Sequence, residues 1–164
     1  MKIEIIKYIA NYVAPILEVI IQFCALAWAY REYKRHQRNH KESLAKGIYS
    51  DYLKLAVEYP DLAYPSPRSI KELTSSENFK KYTWFVSYVL VACDEILSLC
   101  SHNIEDGNKW KTVIKEQIKF HKVYLSSSEF LNTREIEGYS EELKKLINEV
   151  REHKNSDNKD KILI

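Results

Sequence analysis

The chain has 164 residues, 45% of them apolar, with a formal net charge of +2, three glycines and four prolines. That length suits one domain plus an anchor. The near-neutral balance gives no ground for nucleic-acid binding, and so few glycines and prolines argue against a turn-rich β fold and for long helices. Three cysteines, Cys24, Cys93 and Cys100, lack the even count and spacing of a disulfide framework, which argues against a stapled secreted domain.

Residues 1–7 form a short end before the first pattern. From Tyr8 to Tyr30 the one charged side chain is Glu18. Twenty-three helical residues rise roughly 35 Å, enough to cross a hydrocarbon core of roughly 30 Å with some tilt. Arg31, Lys34, Arg35, Arg38 and Lys41 follow, opposed by Glu32 alone. An apolar segment closed by a basic cluster predicts a transmembrane helix with that flank in the cytoplasm, hence a single-pass membrane protein with Met1 outside. The cations of residues 31–43 are placed to contact lipid headgroups. Tyr8, Tyr12, Trp28, Tyr30 and Tyr33 fall where an aromatic belt forms. A cleaved secretory signal ending near Ala25–Ala27 is the competing reading; Glu18 and the basic cluster count against it. A helix lying on the membrane surface is the other.

One face of the span carries Asn11, Pro15, Glu18, Gln22, Ala25 and Ala29, at spacings of four and three residues, the rhythm of a heptad seam. Ala25 and Ala29 let a second helix approach closely. A carboxylate in mid-bilayer costs on the order of 2.5–3.5 kcal/mol on insertion scales and avoids lipid by pairing, protonating or facing water. The expectation is a homo-oligomer whose seam holds Asn11, Glu18 and Gln22. Pro15 is expected to kink the helix.

The helical pattern continues. Leu44, Ile48, Tyr52 and Leu55 recur on one face, so one helix from about Ala14 to Tyr59 is expected to leave the membrane and open a cytosolic bundle spanning residues 44–153. Tyr59-Pro60-Asp61 ends it, and residues 60–68 are a connector. Ser69 and Glu72 form a capping box. Ser76 is positioned to cap a helix of about 77–101, in which Tyr82, Phe85, Val86, Val89, Cys93, Ile96, Leu97 and Cys100 make a broad apolar face. Asp94 and Glu95 favour a bundle core over a second span there, with Glu95 expected at the core's edge. Residues 105–108 read as a turn. A helix from Trp110 to about Ser126, a short one through Phe130 and Ile136, and a last one capped by Ser140 follow. Residues 154–164 read as a flexible tail. The fold class is therefore all-α: an N-terminal transmembrane helix continuing into a small helical bundle.

Chemistry is harder to find. His36 and His40 share a face but lack the Glu of the metalloprotease motif. His121, near Phe120, Tyr124 and Trp110 in sequence, reads as a histidine at the core's edge. Cys93 and Cys100 read as free buried thiols. No Gly-rich phosphate loop or hydrolase elbow is present. The expectation is a non-enzymatic protein with no metal or cofactor.

The span at Tyr8–Tyr30, the basic flank at Arg31–Lys41 and the helical domain beyond resemble, in organisation, small membrane-anchored effectors of bacterial antiphage modules of the retron and cyclic-nucleotide type. That resemblance implies an inner-membrane effector of abortive-infection defence, held by a cytosolic protein or ribonucleoprotein partner until the span assembles and perturbs the membrane. One span rather than two departs from the commoner pattern. The alternative is an anchored adaptor that localises a partner through its helical domain.

Overall fold

The computed structural model describes residues 7, 12–65, 74–75, 77–101 and 104–152. Helices and turns make up the structure, with no strand among the described residues. Helix α1 spans Ala14–Glu58, α2 Pro60–Ala63, α3 Phe79–Cys100, α4 Ile104–Lys119, α5 Lys122–Leu125, α6 Ser128–Asn132 and α7 Glu141–Glu152. A 3₁₀ turn, Glu135–Gly138, precedes α7. The chain divides into two units, Met1–Lys41 and Glu42–Ile164.

Pro15 stands in the first turn of α1, behind a π-helical turn at 12–13. A proline ring crowds the turn before it and offers no N–H, and the wider π turn relieves that crowding. The kink expected at Pro15 turns on residues 8–11, which lie outside the described residues. At the other end Tyr59 closes α1 and Pro60 opens α2 at its first position, where a missing N–H costs nothing.

In the second unit the core is built on α3. Val86, Val89, Leu90, Ile96 and Leu97 are almost fully buried, and with Phe85, Cys93 and Cys100 they make the apolar face that its spacing predicts. Against it pack α4 and α7, the latter through Leu143, Leu146, Ile147 and Val150. Lys111 to Glu142 and Lys115 to Glu149, both at 2.6 Å, lace α4 to α7; being partly exposed, they add little stability. The C-terminal part of α1 contributes Ala45, Tyr52 and Ala56. Leu44, expected on that face, is exposed: the buried stripe runs through the smaller Ala45.

Three polar contacts fix the helices. Tyr52 Oη donates to Gln117 Oε1 at 2.8 Å, and Gln117 Nε2 donates to Tyr49 Oη at 3.2 Å, tying α1 to α4. Burial pushes the Tyr52 hydroxyl pKa up, with smaller contributions from Tyr64, Cys93 and Tyr49. Asp94 of α3 accepts from the backbone N–H and the hydroxyl of Ser140, while Ser140 Oγ accepts from Leu143 N at 3.3 Å. The predicted cap of the last helix is therefore present, and a carboxylate from another helix holds it. Glu95, the residue expected at the core's edge, is exposed; Asp94 is the acid that the fold uses.

The third contact is Tyr82 Oη with His121 Nδ1, at 3.0 Å. His121 is buried in the core, not at its edge. Its ring lies near those of Tyr82 and Phe85, whereas Trp110 packs on Tyr49 and Phe120 on Tyr64. Nε2 has no hydrogen-bond partner. Whichever of Tyr82 Oη and Nδ1 donates in this pair, Nε2 is left as a buried N–H or lone pair without a partner.

The segment 105–108 belongs to α4 and is not a turn. Gly107 explains the choice: a Cβ there would stand 3.3 Å from the Cys100 carbonyl oxygen, so glycine lets the start of α4 close on the end of α3. The helix expected to reach Ser126 breaks at residues 120–121. Ser127 caps α6 by accepting from Phe130 N. Arg134, at φ 54°, takes the left-handed turn between α6 and the 3₁₀ segment. The Ser69–Glu72 capping box, Ser76 and the 154–164 tail lie outside the described residues.

Desolvation in this core pulls the His121 pKa down from 6.5 to about 4. The unfolded chain then binds more protons than the folded one between those values, so stability is full above about pH 6.5 and falls as pH drops towards 4. The expected loss is on the order of 3 kcal/mol from this one group. Melting temperatures of the purified chain should decline over that window more steeply than those of His121→Phe; equal slopes in both chains would show that His121 protonates without cost.

Candidate functional site

The N-terminal part of α1 has a side-chain environment unlike that of the core helices. Ile16, Leu17, Val19, Ile20, Ile21, Phe23, Leu26 and Trp28 are each at least half exposed. A face-by-face reading leaves no buried side: every residue from Ala14 to Arg31 is exposed. An amphipathic surface helix would alternate polar and apolar faces, and this one is apolar nearly all round. The part from Ala14 to Tyr30 rises about 25 Å at the helical repeat, most of a hydrocarbon core of roughly 30 Å.

Among the described residues two helices, α1 and α3, are long and apolar enough to cross a membrane, judged by length and composition. Burial separates them. None of the apolar window of α1 is buried, against half of that of α3.

Glu18, Gln22, Ala25 and Ala29 lie along one exposed stripe of α1, as their spacing predicts. Asn11, the remaining residue of the expected seam, lies outside the described residues, as does Tyr8. Among the described residues neither Glu18 nor Gln22 has a hydrogen-bond partner within the chain. A carboxylate and an amide so placed are available to water or to another molecule. Tyr12, Trp28, Tyr30 and Tyr33 are all exposed.

The basic flank is equally open. Arg31, Lys34, Arg35 and Arg38 are exposed and Lys41 is half-buried. Glu32 meets Arg35 at 3.7 Å and His36 at 3.4 Å. Lys34 Nζ stands 5.0 Å from the centre of the Tyr30 ring, a cation–aromatic contact. Arg31, Arg38 and Lys41 have no carboxylate partner among the described residues. One acid cannot neutralise the cluster, so a net positive collar surrounds the helix directly after its apolar part.

Elsewhere, no group of three or more His, Cys, Asp and Glu side chains comes close enough to hold a metal ion among the described residues. Cys93 and Cys100 are free and buried, and Cys24 is free and exposed. The sequence reading missed an exposed stripe on α3, formed by Trp84, Tyr88 and Val91. Its signal was legible as spacings of four and three between large apolar residues on the face opposite the core. Comparison of the chain with protein-family models, curated proteins and solved structures finds no match.

Cys24 is a built-in probe of this helix. It lies about half a turn from Gln22 and so off the polar stripe. In intact membranes a water-soluble maleimide should leave Cys24 unlabelled, label Arg38→Cys quickly, and reach Cys24 only after denaturation. Rapid labelling of Cys24 in native membranes would place the helix in water.

Proposed function

We propose that this protein is a non-enzymatic membrane effector, anchored in the bacterial inner membrane by the N-terminal part of α1 with its helical bundle in the cytoplasm. The observation that carries this reading is the wholly exposed apolar surface of α1 between Ile16 and Trp28, followed at once by the collar from Arg31 to Lys41. Apolar surface of that extent needs a cover. Lipid supplies it on every face except the stripe of Glu18 and Gln22.

That stripe gives the anchor its activity. In lipid Glu18 and Gln22 have to find polar company, and a sister copy offers the same groups at the same depth. Ala25 and Ala29 continue the stripe with side chains small enough for two backbones to approach. Assembly through Asn11, Glu18 and Gln22 then concentrates polar groups within the bilayer and perturbs it. The collar fixes orientation by keeping its cations on the cytoplasmic side, against anionic headgroups. The role is that of an abortive-infection effector, with the bundle restrained by a cytosolic protein or ribonucleoprotein until infection releases it.

Expression in bacteria tests the reading. The native chain should give a cross-linked ladder and dissipate the membrane potential. Glu18→Leu should remove both while leaving the amount of membrane-bound protein unchanged. Harmless accumulation of the native chain without a ladder would instead favour an anchored adaptor, and recovery in the soluble fraction without detergent would overturn both.

A further inference from the structure

Helix α3 is a core helix on one side only. On the other, Trp84 is 78% exposed, Val91 54% and Tyr88 44%. An exposed tryptophan on a core helix is unusual, because large aromatic side chains lose most by staying in water. Lys81 precedes this trio and Glu95 follows it, both exposed. Positions 81, 84, 88, 91 and 95 are spaced three, four, three and four residues apart, the rhythm with which one helix meets another along a seam.

The order of chemistry along that seam is cation, aromatic, aromatic, aliphatic, anion. Turned end for end, the same helix reads anion, aliphatic, aromatic, aromatic, cation. The stripe is therefore complementary to itself in the antiparallel sense and not in the parallel one, which would bring Lys81 against Lys81. We infer that the outer face of α3 is a two-fold contact with a second copy of this chain. Tyr88 lies at the axis, Trp84 opposite Val91, and Lys81 opposite Glu95 of the other copy. A two-fold axis uses each such pairing twice.

Charge placement supports a copy over other occupants. Asp94, the neighbouring acid, is already engaged by Ser140, which leaves Glu95 to face outward. Lys81 Nζ rests 3.9 Å from the centre of the Tyr59 ring, a contact that holds the ammonium beside the stripe. Lipid would leave Glu95 without a cation, and a carboxylate is a poor neighbour for anionic headgroups.

The three apolar residues hide on the order of 300 Å² per copy, below the roughly 800 Å² per partner of a standard stable interface. The contact is weak in free solution and strong between chains held in one membrane, where effective concentration replaces affinity. That last step rests on the proposed anchoring; the complementarity of the stripe does not.

The test uses the full chain in membranes, with Cys24→Ala as background because Cys93 and Cys100 are buried. Under mild oxidation Tyr88→Cys should give a disulfide-linked dimer. Trp84→Cys and Val91→Cys should link efficiently only when co-expressed, as a mixed pair. Adding Lys81→Glu or Glu95→Lys to Tyr88→Cys should lower the linked fraction roughly five- to tenfold, since both symmetric pairs turn repulsive. The double exchange, Lys81→Glu with Glu95→Lys, should restore it, and equal helicity in all variants excludes misfolding. Ala25→Cys, measured in parallel, reports the membrane seam, so either contact stands or fails without the other. The inference is overturned if no dimer forms through Tyr88→Cys, whether that thiol stays open to a water-soluble maleimide, is shielded by lipid, or is shielded by another protein. It is also overturned if the double exchange fails to restore the dimer.

Discussion

Between Ile16 and Trp28 the side chains of α1 present several hundred square ångströms of apolar surface, at or beyond the largest patch that monomeric soluble proteins leave bare. Burial of such surface stabilises by about 25 cal/mol per Å², so leaving it in water would cost on the order of the whole stability of a small domain. On the reading proposed above, lipid covers it. The helix meets its backbone needs internally, as any segment surrounded by hydrocarbon must. Under the proposed anchoring, the placement of Glu18, the collar and the aromatic residues becomes a question of depth and face.

The second unit solves the opposite problem. Its apolar groups cover one another, and polar pairs link its helices: Tyr82 with His121 in the core, Tyr52 with Gln117 at its margin and Asp94 with Ser140 at the surface. Each joins residues far apart in sequence, so each fixes how two helices pack where apolar contact alone would leave the choice loose. Asp94 shows how this limits α3. The helix is apolar enough to pass for a membrane span, yet half of its apolar window is buried in protein and its acid holds the N-terminus of α7.

Much of this was readable beforehand. Tyr59-Pro60 closes α1 as read, because proline acts on the backbone whatever the tertiary setting. The eight apolar positions named on α3 are all buried, since a long periodic pattern is a strong signal. The errors come from packing, which spacing along the chain does not carry. Residues 105–108 have turn chemistry, but the close approach of Gly107 to Cys100 makes them a helix start. Ala45 displaced Leu44 from the core because a small residue fits where α1 meets its neighbours. His121 looked like an edge residue until Tyr82, thirty-nine positions earlier, supplied a hydroxyl. The stripe Glu18, Gln22, Ala25 and Ala29 was legible because it depends on helical spacing alone. The stripe on α3 is what remains when the core face is subtracted, and that subtraction needs the core.

The two halves of α1 differ most plainly in how they treat charge. After Arg31 the helix carries intrahelical pairs at three- and four-residue spacing: Arg35 and His36 with Glu32, Lys46 with Glu42, Lys54 with Asp51. Such pairs contribute a few tenths of a kcal/mol each and hold a helix in water. Before Arg31 there is one charge, Glu18, and no cation within reach along the helix, since i±3 and i±4 are Pro15, Ile21, Ala14 and Gln22. Occupation of those four positions by proline, isoleucine, alanine and glutamine leaves Glu18 to be satisfied from outside its own helix.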